Sequence, residues 1–198
     1  MSKIIVNISL TLDGVMQAPG RPDEDTRGGF TYGGWALPYF DPSMFSPPAD
    51  GKMPDMLFGR RTYEDFYSVW PNRTDNPFTE VLNNAQKYVA STTLKEPLPW
   101  MNSMLLVGEA AEAVALLKQQ LANDLVVLGS GVLLQTLMRH NLVDEYKLSI
   151  HPLILGTGRR LFPDGSPFAA LKLVDTKIAS TGVVMATYHP IEPTAGKN

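Results

Sequence analysis

Two short segments hold the residue types best suited to chemistry, Met56-Leu57-Phe58-Gly59-Arg60-Arg61-Thr62 and Val126-Val127-Leu128-Gly129-Ser130-Gly131-Val132. In each, a short apolar run ends at glycine and a helical pattern begins at once. A helix starting there leaves its first N–H groups without intrahelical partners and aims the positive end of its dipole beyond the strand. That is an anion-binding geometry. The first segment adds two arginines and a hydroxyl, and the glycines of the second let a phosphate approach the backbone closely. Taken singly, each reads first as an ordinary strand-to-helix turn. Two of them in one sheet suggest a nucleotide with several phosphates. The dinucleotide fingerprint of doubly wound folds is not met, because Val132, Leu133 and Leu134 follow where a third glycine belongs. No Gly-Lys-Ser/Thr phosphate loop is present either.

Other polar residues stand out singly. Asn7 and Ser9 are polar positions on an inner strand of a sheet that helices should cover on both faces, where they either make a satisfied internal hydrogen bond or line a ligand cavity. Asp13 reads first as a turn residue before Gly14. Asp41 and Asp50 flank a candidate helix at Pro42 to Ala49. His151, ahead of Pro152, reads first as a structural histidine and second as a ligand. His140, His151 and His189 fall on different elements, so no zinc triad is expected. Trp35, Tyr39 and Trp70 can roof a planar heterocycle or simply fill a core.

The elements that must position these residues alternate. Lys3 to Leu10 reads as a strand with Val6, Ile8 and Leu10 on one face. Strands at 55–58, 87–90, 104–107 and 124–128 then alternate with helices at 61–69, 78–84, 110–121 and 132–140, the second helix announced by Asn76-Pro77. Such alternation implies a largely parallel sheet covered by helices. The segments 145–155, 171–177 and 183–189 are strand-like without helices between them, so an antiparallel edge is expected. Between Gln17 and Pro54, clusters of Pro, Gly and Asp surround aromatic residues, which favours an ordered lid or wall over disorder.

With 198 residues and a net charge of −3, the chain fits one soluble α/β domain over residues 1–192 with a tail at 193–198. It has no cysteine, which excludes thiol nucleophiles and thiolate metal sites and fits a cytoplasmic location. No Lys/Arg cluster marks a nucleic-acid surface, no apolar run approaches a membrane span, and the N-terminus fits neither a signal nor a transit peptide. A small-molecule ligand is expected, and no metal.

Five motifs in order carry a resemblance. They are the strand Ile4 to Leu10 running into Leu12-Asp13-Gly14, the segment Gly59-Arg60-Arg61-Thr62-Tyr63-Glu64, then Tyr88-Val89-Ala90-Ser91-Thr92 and Leu128-Gly129-Ser130-Gly131. The fifth runs from Val143-Asp144-Glu145 through His151-Pro152-Leu153-Ile154-Leu155-Gly156 to Leu161-Phe162-Pro163. The chain resembles the dihydrofolate reductase fold from Lys3 to His189. Within it, the nearest branch is the reductase domain of the bifunctional riboflavin-biosynthesis protein.

The resemblance implies NADPH as cofactor. It places Arg60, Arg61 and Thr62 at phosphates, Ser91 and Thr92 at the adenosine end, and Gly129, Ser130 and Gly131 at the pyrophosphate, with Gly59 opening the first junction. The Gly-Gly peptide that is cis in dihydrofolate reductases corresponds to Gly129-Ser130. Ser9 and Met16 fall where the family passes the nicotinamide. Asn7, Trp35 and His151 are the substrate-side candidates, and Asp13 and Asp41 the candidate proton sources. The folate-binding carboxylate has no counterpart within Pro42 to Ala49, and the ligands of the zinc deaminase module are absent. A reductase acting on a pyrimidine or pteridine compound is expected, working as a homodimer by analogy. A non-catalytic NADP(H)-binding or sensor protein is the alternative, and a domain of another nucleotide-binding fold the third reading.

Overall fold

The computed structural model describes residues 2–44, 53–76 and 78–191. Asp50, Pro77, the tail 193–198 and most of the expected helix at Pro42 to Ala49 lie outside these. The strand order is β4-β3-β2-β5-β1-β6-β8-β7, a mixed sheet of eight. Its contacts group residues 1–5 with 46–142, and residues 6–45 with 143–198.

In the first unit, β2 (Asp55–Gly59) pairs in parallel with β3 (Lys87–Ala90) and β5 (Leu125–Leu128), and β3 pairs in parallel with β4 (Ser103–Leu106). These strands are short continuous apolar runs because both faces are covered. Met56 and Phe58 point to a cluster with Tyr63 of α1 (Arg60–Val69), Leu82 of α2 (Phe78–Asn84), Val89 and Trp100. Leu57 and Gly59 alternate to the other side, where a Cβ on Gly59 would lie 3.5 Å from Leu133 of α4 (Gly131–Arg139). The fourth helix, α3 (Ala110–Gln120), buries Ala111, Val114 and Leu117 at helical spacing. Each large apolar side chain so buried contributes about 1.5–3 kcal/mol. Asn76 accepts the Phe78 N–H at 2.9 Å, as a helix-start residue should.

The second unit holds most of β1 (Ile4–Thr11) and the antiparallel set β6 (Glu145–His151), β8 (Val184–Ile191) and β7 (Ala170–Ile178). β6 stops at His151 rather than running to residue 155. Pro152 has no N–H to give a ladder, and Leu153 N–H instead turns back to His151 O at 2.8 Å. Residues 12–44 form no α-helix; three 3₁₀ turns occupy Arg27–Gly29, Leu37–Tyr39 and Pro42–Met44.

This stretch is nevertheless ordered around a core of Val15, Ala18, Phe30 and Trp35. Its polar organiser is Gln17, only 4% exposed. The Gln17 amide donates to Asp25 O (3.0 Å) and Arg27 O (2.9 Å), its side-chain oxygen accepts from Arg159 N–H (3.0 Å), and its main-chain oxygen takes the Trp35 indole N–H at 2.7 Å. A buried amide with all of these bonds filled fixes a loop that propensity alone would leave open.

Candidate functional site

In the first unit the two glycine junctions are tied to each other. Gly59 N–H donates to Ser130 Oγ at 2.8 Å, and Ser130 N–H donates to Thr62 Oγ1 at 2.9 Å. Gly129 and Ser130 both adopt left-handed backbone, with φ of 69° and 62°. A Cβ on Gly129 would come within 3.2 Å of Thr62 Cγ2, so glycine is required there on two counts. Serine in this conformation costs about 1–2 kcal/mol, which its two cross-junction bonds help offset.

Neither α1 nor α4 has a side-chain cap, and neither has an acidic residue in its first turn. Two positive helix ends therefore keep their leading N–H groups available. Arg60 lies against Glu64 at 3.0 Å, whereas Arg61 is exposed at the start of α1. Ser91 Oγ accepts N–H bonds from Thr93 (3.1 Å) and Leu94 (3.0 Å), which shapes the turn after β3, and Thr92 is exposed beside it.

In the second unit, β1 buries Val6, Ile8 and Leu10 while Asn7 is exposed and Ser9 half-buried. Met16 N–H donates to Arg159 O at 2.8 Å, with its side chain half-buried. His151 is 1% exposed. Its Nδ1 faces two carbonyls, Ser149 O at 3.0 Å and Leu10 O at 3.3 Å. Since carbonyls only accept, Nδ1 carries the proton and Nε2 is left as an acceptor. Burial pushes the imidazole pKa below its usual value, so His151 is neutral at pH 7. Trp35 and Tyr39 meet the ring edge to face, at 5.1 and 5.7 Å between centroids.

The two aspartates have other work. Asp13 accepts from the Thr11 hydroxyl (2.5 Å), Leu155 N–H (3.2 Å) and Gly156 N–H (2.8 Å). The Thr11 bond, ahead of the two N–H groups, holds its carboxyl below the usual range against a desolvation effect of opposite sign. Asp41 clamps the Ser180 hydroxyl (2.5 Å), Ser180 N–H (3.0 Å) and Ser43 N–H (2.9 Å), and the Ser180 hydroxyl bond foremost lowers its pKa as well. Both are ionised at neutral pH and serve as loop clamps.

The model of the RibD C-terminal domain matches residues 2–186 of this chain. The chain belongs to the RibD C-terminal domain family. The Bacillus subtilis (strain 168) protein YyaP, itself uncharacterised, is 30% identical over 194 residues, covering 94% of each chain. A solved structure from Shewanella sp. PV-4, named for riboflavin biosynthesis, superposes with a TM-score of 0.71 at 22% identity, over 96% of this chain and 99% of that one. Dihydrofolate reductase from Enterococcus faecalis, solved with NADP(H), gives 0.55 at 16% identity over 95% and 96%. The dihydrofolate reductase-like fold expected from the five motifs is thus the fold of this chain.

Within this family reading one implied feature does not carry over. The Gly129-Ser130 peptide is trans; the cis bond among the described residues is Glu96-Pro97. The two left-handed residues already bring Ser130 N–H to Thr62. Sequence reasoning also missed Gln17 and Glu64. Glu64, four residues after Arg60 on one helix, carried a legible i, i+4 signal. Gln17 carried none, since its partners are carbonyls and an N–H from distant turns.

Proposed function

We propose that this member of a reductase family uses NADPH to reduce a small planar pyrimidine or pteridine compound. The observation that carries the reading is the pair of uncapped helix starts in the first unit, cross-tied through Thr62 and Ser130 and flanked by Arg61. That donor set fits a pyrophosphate: N–H groups, hydroxyls and a guanidinium, with no carboxylate in either first turn. Bound NADPH would supply the hydride. Gly59, Gly129, Ser130 and Gly131 hold the pyrophosphate in this proposal. Arg61 is better placed than Arg60 for the 2′-phosphate, because Glu64 already occupies Arg60; Ser91 and Thr92 stand at the adenosine end. In the second unit, Ser9 and Met16 remain the proposed nicotinamide contacts, and Asn7, Trp35 and His151 the proposed substrate contacts. With Asp13 and Asp41 ionised, the accompanying proton comes from water.

NADPH is expected to bind about 10–100-fold more tightly than NADH, the worth of one or two charge-assisted bonds. Arg61→Ala should erase most of that preference. Titration of both cofactors, followed by NADPH oxidation with dihydrofolate and with a ribosylaminopyrimidine, tests the reading. Equal affinities for the two cofactors would remove the phosphate assignment. Binding without turnover on any such compound would favour the non-catalytic NADP(H)-binding alternative, for which the ionised aspartates are the supporting observation.

We also propose that a second copy of this chain covers β7. This nine-residue strand ends the strand order and is exposed along nearly its whole length. Its register with β8 puts Leu171, Leu173 and Ile178 on one face and Lys172, Asp175 and Lys177 on the other. Leu173 is 49% and Ile178 74% exposed, an apolar face that an isolated edge would not retain. Sedimentation should show a dimer at micromolar concentration and a monomer for Leu173→Glu/Ile178→Glu. A monomeric wild type would reject this.

A further inference from the structure

At the start of β2, the opposite end of that strand from Gly59, lies a cavity of about 510 Å³. Met53, Val81 and Ala85 give it an apolar side, and Asp55, Glu80 and Gln86 a polar one. Asp55 is only 8% exposed. A carboxylate can accept about four hydrogen bonds, and this one takes a single long bond, from Asn123 Nδ2 to Oδ1 at 3.4 Å. Among the described residues nothing donates to Oδ2, and no lysine or arginine pairs with either oxygen. The sealed side-chain oxygens without a partner are Thr79 Oγ1 and Ser103 Oγ; Asp55 Oδ2 is not one of them and keeps an opening where Asp55 lines the cavity. We propose that this cavity binds a primary alkylammonium ligand, its charged head on Asp55 and its stem against Met53, Val81 and Ala85.

A buried carboxylate without a counter-charge is costly, because burial removes water that no protein donor replaces. That desolvation raises the Asp55 pKa, and the Asn123 amide only partly opposes it. A cation in the cavity supplies the missing charge. An ammonium has three donors and no acceptor, so it can serve Asp55 Oδ2 and the side-chain oxygen of Gln86, which makes no side-chain hydrogen bond among the described residues. The apolar side suits an alkyl stem, and exposed Glu80 adds negative potential on the same wall. A metal ion fits less well, since no three carboxylate or imidazole groups converge among the described residues. What separates this place from a pair of surface carboxylates is the buried oxygen left without a donor. The proposed NADPH contacts take no part in it.

Binding of n-butylamine, ionised at neutral pH, and of neutral n-butanol is to be measured calorimetrically at millimolar concentration in wild type, Asp55→Asn and Glu80→Gln. Asparagine keeps the shape at position 55 and can still accept from Asn123, so the unliganded thermal midpoint should not fall. The expected result is binding of butylamine and not butanol by wild type, a loss of about tenfold or more in Asp55→Asn, and affinity within about twofold of wild type in Glu80→Gln. If Asp55→Asn does not fold, wild type still decides: a bound ammonium should lower the pH at which the Asp55 carboxyl resonance titrates in carbon NMR spectra. Failure of wild type to bind butylamine, an equal loss in Glu80→Gln, or an Asp55 resonance indifferent to the amine would each overturn the proposal, and each leaves the NADPH reading untouched.

Discussion

Lys87→Met is expected to lower the stability of the fold by about 2–4 kcal/mol. Lys87 has no solvent exposure, yet it sits in β3 with its ammonium turned to the end of α2. Nζ donates to Leu82 O (2.7 Å), Asn83 O (3.1 Å) and Ala85 O (2.7 Å), and it lies 4.6 Å from the centre of the Trp100 ring. A cation at a helix C-terminus answers both the orphan carbonyls and the negative end of the dipole. Methionine matches the stem and removes every donor. Asn83 O keeps an amide from Asn102 at 3.3 Å, but Leu82 O and Ala85 O then depend on whatever can move in. Each buried carbonyl left without a donor costs about 1–3 kcal/mol, and the lost contact with the indole about 1–2. Relief from burying an ammonium offsets part of this, which is why the net figure is smaller than the sum.

Urea denaturation of the two proteins provides the check, and a midpoint shift of about 5–15 °C should accompany the loss. The pH dependence supplies a second one. Burial pushes the Lys87 pKa from 10.5 down to about 8. Between those values the unfolded chain holds a proton that the folded chain has released, so stability rises with pH across that window. The methionine variant should lack this slope. An equally stable variant with the same slope as wild type would show that the ammonium is not the group that closes α2.

How far such features are legible in a sequence depends on whether their partners are neighbours. The two glycine junctions can be read because an apolar run, a glycine and a helical pattern are adjacent in the chain. Their cross-tie cannot, since Thr62 and Ser130 are 68 residues apart and meet only once β2 and β5 are paired. Lys87 is misleading for the same reason: a lysine in a strand reads as a solvent-facing residue, and its acceptors belong to a helix end defined by tertiary packing. Asp13 and Asp41 are legible as polar residues in loops, and the groups that hold them are not. The N–H groups that hold Asp13 come from Leu155 and Gly156, more than 140 residues away. The exposed position of Asn7 within a strand of buried residues agrees with the alternation of β1, whereas what faces it is set by elements far along the chain.

Gly158→Ala should destabilise the protein by about 3–4 kcal/mol, the second large effect, although it adds a single methyl group. Gly158 has φ of 112°, a conformation that any side chain resists. A Cβ there would lie 2.7 Å from Val15 Cγ1 and 2.8 Å from Phe30 Cε2, inside normal contact distance. Both neighbours belong to the buried cluster with Ala18 and Trp35 and cannot give way independently. Overpacking of this kind costs about 1–3 kcal/mol, and strained backbone adds about 1–3 more. The damage should be local in origin, because Val15 bridges to Arg160 and Gln17 binds Arg159 N–H, tying this segment to the wall that holds Trp35. Trp35 also meets His151, so displacement of the wall should reach that ring. The prediction is therefore twofold: a lower urea midpoint, and a shifted His151 ring resonance in NMR spectra recorded well below that midpoint. Gly165, which has φ of 81° but nothing within 4 Å of its would-be Cβ, is the control. Gly165→Ala meets the backbone cost alone, so it should lose no more than about 1–2 kcal/mol and leave His151 unmoved. If Gly158→Ala behaves no worse than Gly165→Ala, the tight contact with Val15 and Phe30 is not what holds the wall in place.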